Sequence, residues 1–215
     1  MENEWSLIEL FKLGGVFMWP LLAFSVATIA ITIERVIYIF WHNLKVGEIL
    51  SAVLDLVRGG KVNEARERLA AEPRKNASAS ILLALVSNAN RGEARMEKAT
   101  EAEAQERIRQ LENGFNYLTA LASLSPLTGF LGTVSGMIGA FKSIASATEV
   151  NAQLVANGIY EALITTVFGL CIAIVALLAY NLLLKRVDTF AADITKASSD
   201  LTSALLEAEE TGGAR

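Results

Sequence analysis

Three apolar runs without a charged residue dominate the sequence, at positions 13–33, 113–141 and 162–184. Each run is longer than the roughly 18 residues that indicate a helix long enough to cross a bilayer. The overall composition agrees, because 53% of the residues are hydrophobic and the mean hydropathy is +0.40. The sequence therefore predicts an all-α integral membrane protein with three transmembrane helices.

The segment between the first two runs has a different character, since basic and acidic residues alternate there and nearly balance. Helical patterns are predicted at 49–57, 61–71, 79–86 and 93–111, with breaks at Gly59-Gly60 and at Pro73. We expect the last of these helices to continue into the second span, with Pro126 as a mild kink. The balanced charge argues against a nucleic-acid surface, and it favours a solvent-exposed helical domain.

These patterns divide the chain into seven segments. They are an interfacial helix (1–12), a first span (13–41), a helical domain (42–112), a second span (113–141), a short connection (142–161), a third span (162–184), and a C-terminal amphipathic helix with a tail (185–215). Basic residues near the span ends concentrate on the side of the helical domain. We therefore expect that domain and the C-terminus to be cytoplasmic, with the N-terminus and the short connection on the outer side of the membrane.

Small residues line one face of each of the last two spans. The candidate helix-packing glycines are Gly129, Gly132, Gly136 and Gly139 in the second span and Gly169 in the third. A glycine costs about 1 kcal/mol against alanine in a soluble helix, whereas in lipid it lets two helix backbones approach closely. Because both spans carry such a face, we expect each subunit to contact two neighbours, which favours a closed ring.

Four polar residues stand on or beside these faces and are candidates for an ion path: Thr133, Thr165, Thr166 and Glu161. A threonine in a membrane helix commonly bonds back to a carbonyl one turn earlier, and this alternative stays open for all three. Glu161, at the start of the third span, is either an exposed interfacial carboxylate or part of the path. None of the three apolar runs contains a titratable Asp, Glu, Lys, Arg or His, so a proton path would need such a group from another chain.

The sequence gives no positive indication of an enzyme. Cys171 is the single cysteine and His42 the single histidine, so neither a disulfide within the chain nor a Cys/His metal site is expected. Phosphate-binding glycine loops and nucleophile motifs do not occur. We expect no cofactor, no metal and no nucleic-acid partner.

Two stretches carry a family resemblance: LTGFLGTVSGMIGAF at 127–141 and GIYEALITTVFGL at 158–170. Together they resemble the MotA/TolQ/ExbB proton-channel family, and within it the ExbB/TolQ branch. The order of the three spans, the large insertion after the first, and ERVIYI at the end of that span are also similar. By motif match, Thr133 and Thr166 take the places of the family's two pore threonines, and Glu161 that of its glutamate at the start of the last span.

The resemblance implies a homopentamer around a central pore in the bacterial inner membrane, surrounded by membrane lipid. Two copies of an ExbD/TolR-like single-span subunit would supply a membrane aspartate, and proton flow would drive a TonB-like or other envelope effector. The process driven, whether import, envelope integrity or motility, stays open, as does proton against sodium. The competing hypothesis is a passive membrane scaffold whose helical domain docks cytoplasmic partners and whose threonines only pack.

Overall fold

The computed structural model describes residues 7–42, 44–73, 75–146 and 152–213, and in that part of the chain it contains helices and no strand. The eight α-helices are α1 (Leu7–Leu13), α2 (Met18–Trp41), α3 (Gly47–Arg58), α4 (Val62–Ala70), α5 (Ala77–Ser87), α6 (Glu93–Glu112), α7 (Phe115–Ser146) and α8 (Ala152–Gly213). Three helical stretches are long and apolar enough to cross a membrane. Two of them contain the second and third predicted runs, and the first, Met18–Trp41, covers most of the run at 13–33. The predicted all-α membrane architecture is confirmed.

The second span does not continue from the preceding helix without interruption, as the sequence pattern predicted. Helix α6 ends at Glu112, and Asn113 then adopts an extended backbone with ψ of 132°. Gly114 follows with φ of +89°, in the left-handed region that glycine tolerates and other residues avoid. The expectation of one helix over 93–141 is therefore wrong, because the non-helical backbone of this pair interrupts the helix. Pro126, by contrast, lies inside α7 without ending it.

The third span and the C-terminal amphipathic helix form one helix rather than two. Helix α8 has 62 residues, which at 1.5 Å per residue is about 90 Å. No glycine or proline interrupts the chain between Gly169 and Gly212, so nothing in the local sequence ends the helix. The Lys185-Arg186 pair therefore marks the point where the sequence of α8 changes from apolar to largely polar, and the helix itself continues.

The chain divides into two compact units. The membrane unit comprises residues 1–34 and 114–182, and it has a small apolar core formed by Met18, Leu21, Ile164 and Ile172. Many other large apolar side chains of this unit are exposed, among them Phe130 and Leu178 at about 60%. Exposed apolar surface on this scale is typical of helices that face lipid or a partner helix. Gly14 and Gly15 lie between α1 and α2, where the interfacial helix ends. Residues 1–6 of the predicted interfacial helix lie outside the described residues.

The polar unit comprises residues 35–113 and 183–215. The predicted helices at 49–57, 61–71, 79–86 and 93–111 are present as α3 to α6. The predicted apolar stripe of the C-terminal helix is buried here, with Ile194, Leu201 and Leu205 at 5% exposure or less. The guanidinium of Arg35 lies over the Tyr38 ring at 4.6 Å and donates to the Gln110 carbonyl of the last turn of α6. A cation is favourable there, because the helix dipole is negative at that end.

Candidate functional site

Glycines bring helices α7 and α8 into direct backbone contact. A Cβ atom at Gly129 would lie 2.7 Å from the Thr165 carbonyl oxygen, and one at Gly169 would lie 2.5 Å from the Ser125 carbonyl oxygen. At Gly136 the distance to the Gly158 carbonyl oxygen would be 3.1 Å. At Gly129 and Gly169, no residue with a Cβ atom can be placed without moving the backbone. The small-residue faces predicted from the sequence therefore face each other within one chain.

This arrangement corrects the expectation that the glycine faces join neighbouring subunits. The face of α7 is occupied by α8 of the same chain, so it is not free to contact a second copy and carries no argument for a ring. Gly132 belongs to the same contact, since a Cβ there would lie 2.5 Å from Thr165 Oγ1. Gly139 takes no part in it, because no neighbouring atom comes within 4 Å of its Cβ position in the described structure.

Close approach of the two helices places three threonine hydroxyls around two backbone carbonyls. We call Thr133, Thr165 and Thr166 the threonine cluster. The Oγ1 atoms of these residues lie 3.3, 3.2 and 3.4 Å from the Gly129 carbonyl oxygen. They lie 2.9, 2.9 and 3.5 Å from the Ala162 carbonyl oxygen. The hydroxyls of Thr133 and Thr166 also contact each other directly.

The bond back to the own helix, one of the alternatives left open by the sequence, is present and occurs together with a contact to the other helix. Thr133 is within hydrogen-bond distance of Gly129, one turn earlier in α7, and of Ala162 in α8. Thr165 likewise reaches Ala162 in its own helix and Gly129 across the contact. Each hydroxyl is therefore within hydrogen-bond distance of one carbonyl in its own helix and one in the other helix, and its single proton goes to one acceptor at a time. The sequence indicated the pair Thr133 and Thr166, but not the two carbonyls that they share with Thr165.

Counting donors and acceptors shows what the cluster offers to a ligand. Three hydroxyls supply three protons, whereas each carbonyl oxygen has two lone pairs, one of which is used by the helical N–H four residues later. The two remaining carbonyl lone pairs take two hydroxyl protons, and the Thr133–Thr166 contact takes the third. The hydroxyl oxygens still hold unused lone pairs. The cluster therefore has its donors satisfied internally and retains capacity to accept hydrogen bonds.

Burial decides which members of the cluster a ligand can reach. Thr165 is 1% exposed, and its side chain fills the space left by Gly132. Thr133 and Thr166 are half-buried, so part of each side chain lies on the surface of the single chain. The surface next to them is apolar, with Phe130 and Val167 both more than half exposed. The cluster thus reaches the surface of the single chain at Thr133 and Thr166, within an apolar surface.

Glu161 is not part of the threonine cluster. It lies five residues before Thr166 in α8, which places the two side chains about 140° apart around the helix axis. Its carboxyl instead contacts Gly15, in the turn between α1 and α2. The structure therefore brings together three of the four candidate path residues and places the fourth against the N-terminal turn. The contact of Gly15 with Glu161 is not predicted from the sequence. The only signal is the pair Gly14-Gly15 before α2, which indicates a turn but not its partner.

Other kinds of site are not indicated in the described residues. No group of three or more His, Cys, Asp or Glu side chains in the described ranges could hold a metal ion. Cys171 is a free, exposed cysteine on α8. Within the predicted spans, the polar groups that the described structure clusters are hydroxyls and carbonyls, which bind protonated groups or water but do not titrate near neutral pH.

Known proteins resemble this chain over both helices of the cluster. The model of the MotA/TolQ/ExbB proton channel family matches residues 63–196. The biopolymer transport protein ExbB-like 1 of Synechocystis sp. is 34% identical over 200 residues, covering 86% of this chain and 75% of that protein. The Tol-Pal system protein TolQ of Haemophilus influenzae is 42% identical over 98 residues, covering 46% of this chain and 43% of its own.

A third relative is matched over a shorter range. The biopolymer transport protein ExbB of Salmonella typhimurium is 36% identical over 86 residues, which is 40% of this chain and 35% of that protein. The family match spans well over half of the chain and includes both glycine-lined helices, in agreement with the resemblance seen in the motifs. This chain belongs to the MotA/TolQ/ExbB proton channel family, in its ExbB/TolQ branch.

Proposed function

We propose that this protein is the pore-forming subunit of an inner-membrane proton-channel motor that uses the proton-motive force to drive an envelope process. The observation that carries the proposal is the threonine cluster, whose two half-buried hydroxyls lie in an apolar membrane surface and retain acceptor capacity. Membership of a proton channel family supports the same function.

The chemistry of the cluster favours one protonation state of a partner. A protonated carboxylic acid has an O–H to donate, and the free lone pairs of Thr133 or Thr166 can accept it. A carboxylate has only lone pairs, so it would need a hydroxyl proton that is already used in the cluster. The site therefore favours a neutral acid, and it would take up a partner's aspartate after protonation and release it after deprotonation.

The partner has to supply the titrating group, because the three apolar runs at 13–33, 113–141 and 162–184 contain no Asp, Glu, Lys, Arg or His. We propose an ExbD/TolR-like single-span subunit with a membrane aspartate, present in two copies inside a pentamer of this chain. Moving one charge through 100 mV makes about 2.3 kcal/mol available, enough to drive a cyclic rearrangement of packed helices. The output would pass to a TonB-like or other envelope effector. Basic residues near the span ends support a periplasmic N-terminus and a cytoplasmic polar unit.

Proton uptake into liposomes tests this function. The chain should be reconstituted with its partner, taken from a neighbouring reading frame that encodes one span containing an aspartate. A potassium gradient with valinomycin then sets the membrane potential, and an enclosed dye reports pH. We expect acidification only when both proteins are present and the partner's aspartate is intact. If the two proteins bind each other but no proton uptake follows, the passive scaffold is the correct function.

A further inference from the structure

The turn between α1 and α2 lies directly against α8. Gly14 and Gly15 form this turn, and a Cβ at Gly14 would lie 2.7 Å from Met18 Sδ and 3.2 Å from Ile164 Cγ2. Met18 and Ile164 are both in the buried core of the membrane unit, at 2% and 7% exposure. The turn is therefore seated on the α8 surface one turn beyond Glu161.

The Glu161 carboxyl lies against Gly15, in the space that a side chain at position 15 would fill. A Cβ atom added at Gly15 would collide with Glu161 Oε1, and it would lie 3.0 Å from Cδ and 3.7 Å from Cγ. The backbone of Gly15 has φ of +68°, so residue 15 also needs the left-handed conformation that glycine adopts most readily. Residue 15 thus needs a glycine for two independent reasons, the space taken by the Glu161 carboxyl and the left-handed backbone. Only the first reason involves Glu161.

We propose that Gly15 is a positioning residue for Glu161, and that the α1–α2 turn fixes the place of this carboxyl on its own face of α8. The inference rests on the proposed function, since it assigns Glu161 a place beside the path rather than within the hydroxyl cluster. The absent side chain leaves room for the carboxyl on the α8 face that lies about 140° from Thr166. Any larger residue at position 15 must displace the carboxyl, while the hydroxyls between α7 and α8 stay in place.

A double-mutant cycle on the purified protein tests the contact without any activity assay. Gly15→Ala, Glu161→Ala and the double variant should be compared by thermal unfolding in detergent. We expect Gly15→Ala to lower the melting temperature by several degrees when Glu161 is present, and by much less when it is replaced. Equal losses in the two backgrounds would overturn the proposal. If Gly15→Ala alone yields no folded protein, recovery by Glu161→Ala supports the contact and failure to recover refutes it.

Gly60→Ala is the matched control for backbone strain. Gly60 has φ of +74°, close to that of Gly15, but no atom lies within 4 Å of its Cβ position in the described structure. Its replacement therefore measures the cost of the left-handed conformation alone, which should match the residual cost of Gly15→Ala in the Glu161→Ala background. A residual cost at position 15 well above that of Gly60→Ala would show that the steric conflict is with some other group.

The effect on function has its own readout in the liposome assay. Gly15→Ala should reduce proton uptake, and Glu161→Asp in that background should restore it, because the shorter side chain withdraws the carboxyl oxygens by one bond from the position where they collide with the added Cβ. Uptake unchanged by Gly15→Ala, or lost and not restored by Glu161→Asp, contradicts the positioning role. If the wild-type complex shows no uptake, the proposed function fails, whereas the unfolding cycle still decides whether Gly15 and Glu161 are coupled.

Discussion

Replacing both accessible hydroxyls of the threonine cluster should abolish proton uptake while leaving the protein folded. Thr133→Val with Thr166→Val keeps the side-chain volume but removes the two hydroxyl groups that can accept a hydrogen bond from a protonated acid. Interhelical hydrogen bonds in membranes contribute about 0.6 kcal/mol on average and at most about 1.7, so the loss of stability should be small. Proton uptake by reconstituted liposomes, measured beside expression level and partner binding, separates the two effects.

Two control variants make this result specific. The double serine variant keeps both hydroxyls, and it should retain most of the proton uptake. Thr128→Val removes a hydroxyl of the same helix that, among the described contacts, bonds only to the Leu124 carbonyl within α7, at 2.9 Å. This variant should leave uptake unchanged. A fully active double-valine variant would show that the cluster has only a packing role, and it would favour the scaffold hypothesis.

Enlarging Gly132 should prevent α7 and α8 from packing within the subunit. A Cβ at this position would lie 2.5 to 2.9 Å from three side-chain atoms of Thr165, which is buried and stiff at χ1. Overpacking a well-packed contact costs about 1–3 kcal/mol and sometimes more, and here the conflict involves a side chain fixed between two helices. We expect Gly132→Leu to give little folded protein, measured as the monodisperse fraction in detergent gel filtration.

Gly139→Leu is the matched control on the same helix. No described neighbour lies within 4 Å of its Cβ position, and leucine is a better helix former than glycine by up to about 1 kcal/mol. This variant should fold as well as the wild type when examined as an isolated subunit. A Gly132→Leu protein that is as monodisperse as Gly139→Leu would contradict the contact between α7 and α8 described above.

Local patterns predicted most of the helices. Apolar runs without charge identify the spans, and spacing in the polar segment identifies α3 to α6, because helix periodicity depends on neighbouring residues only. The same locality explains the errors. The break at Asn113-Gly114 is not predictable from the local pattern, since a single Gly within a helical pattern is usually tolerated. The continuation of α8 past Lys185 is not predictable either, because a change from apolar to charged residues resembles the end of a span whether or not the helix ends there.

The composition of the site was predictable, but its geometry was not. Small-residue faces carrying Thr133 and Thr166 indicated close helix packing, and the structure places these residues together. Whether such a face meets its own chain or a neighbour depends on contacts between positions far apart in sequence, such as Thr133 and Thr166, which periodicity does not encode. Gly15 and Glu161, which contact each other, belong to different segments of the membrane unit, and the whole of 35–113 separates these segments in sequence. For the same reason, the sequence grouped Glu161 with the threonines.

Disulfide crosslinking between the threonine cluster and the partner tests the central claim most directly, because it asks whether the partner's membrane aspartate reaches these hydroxyls. Cysteine should replace Thr133 in a Cys171→Ala background, and it should replace the aspartate in the partner. Leu131→Cys serves as the control, since it is exposed on the same helix about 160° away from Thr133. We predict a crosslink to position 133 and none to position 131. Equal crosslinking at both positions, or a crosslink to 131 alone, would contradict the account.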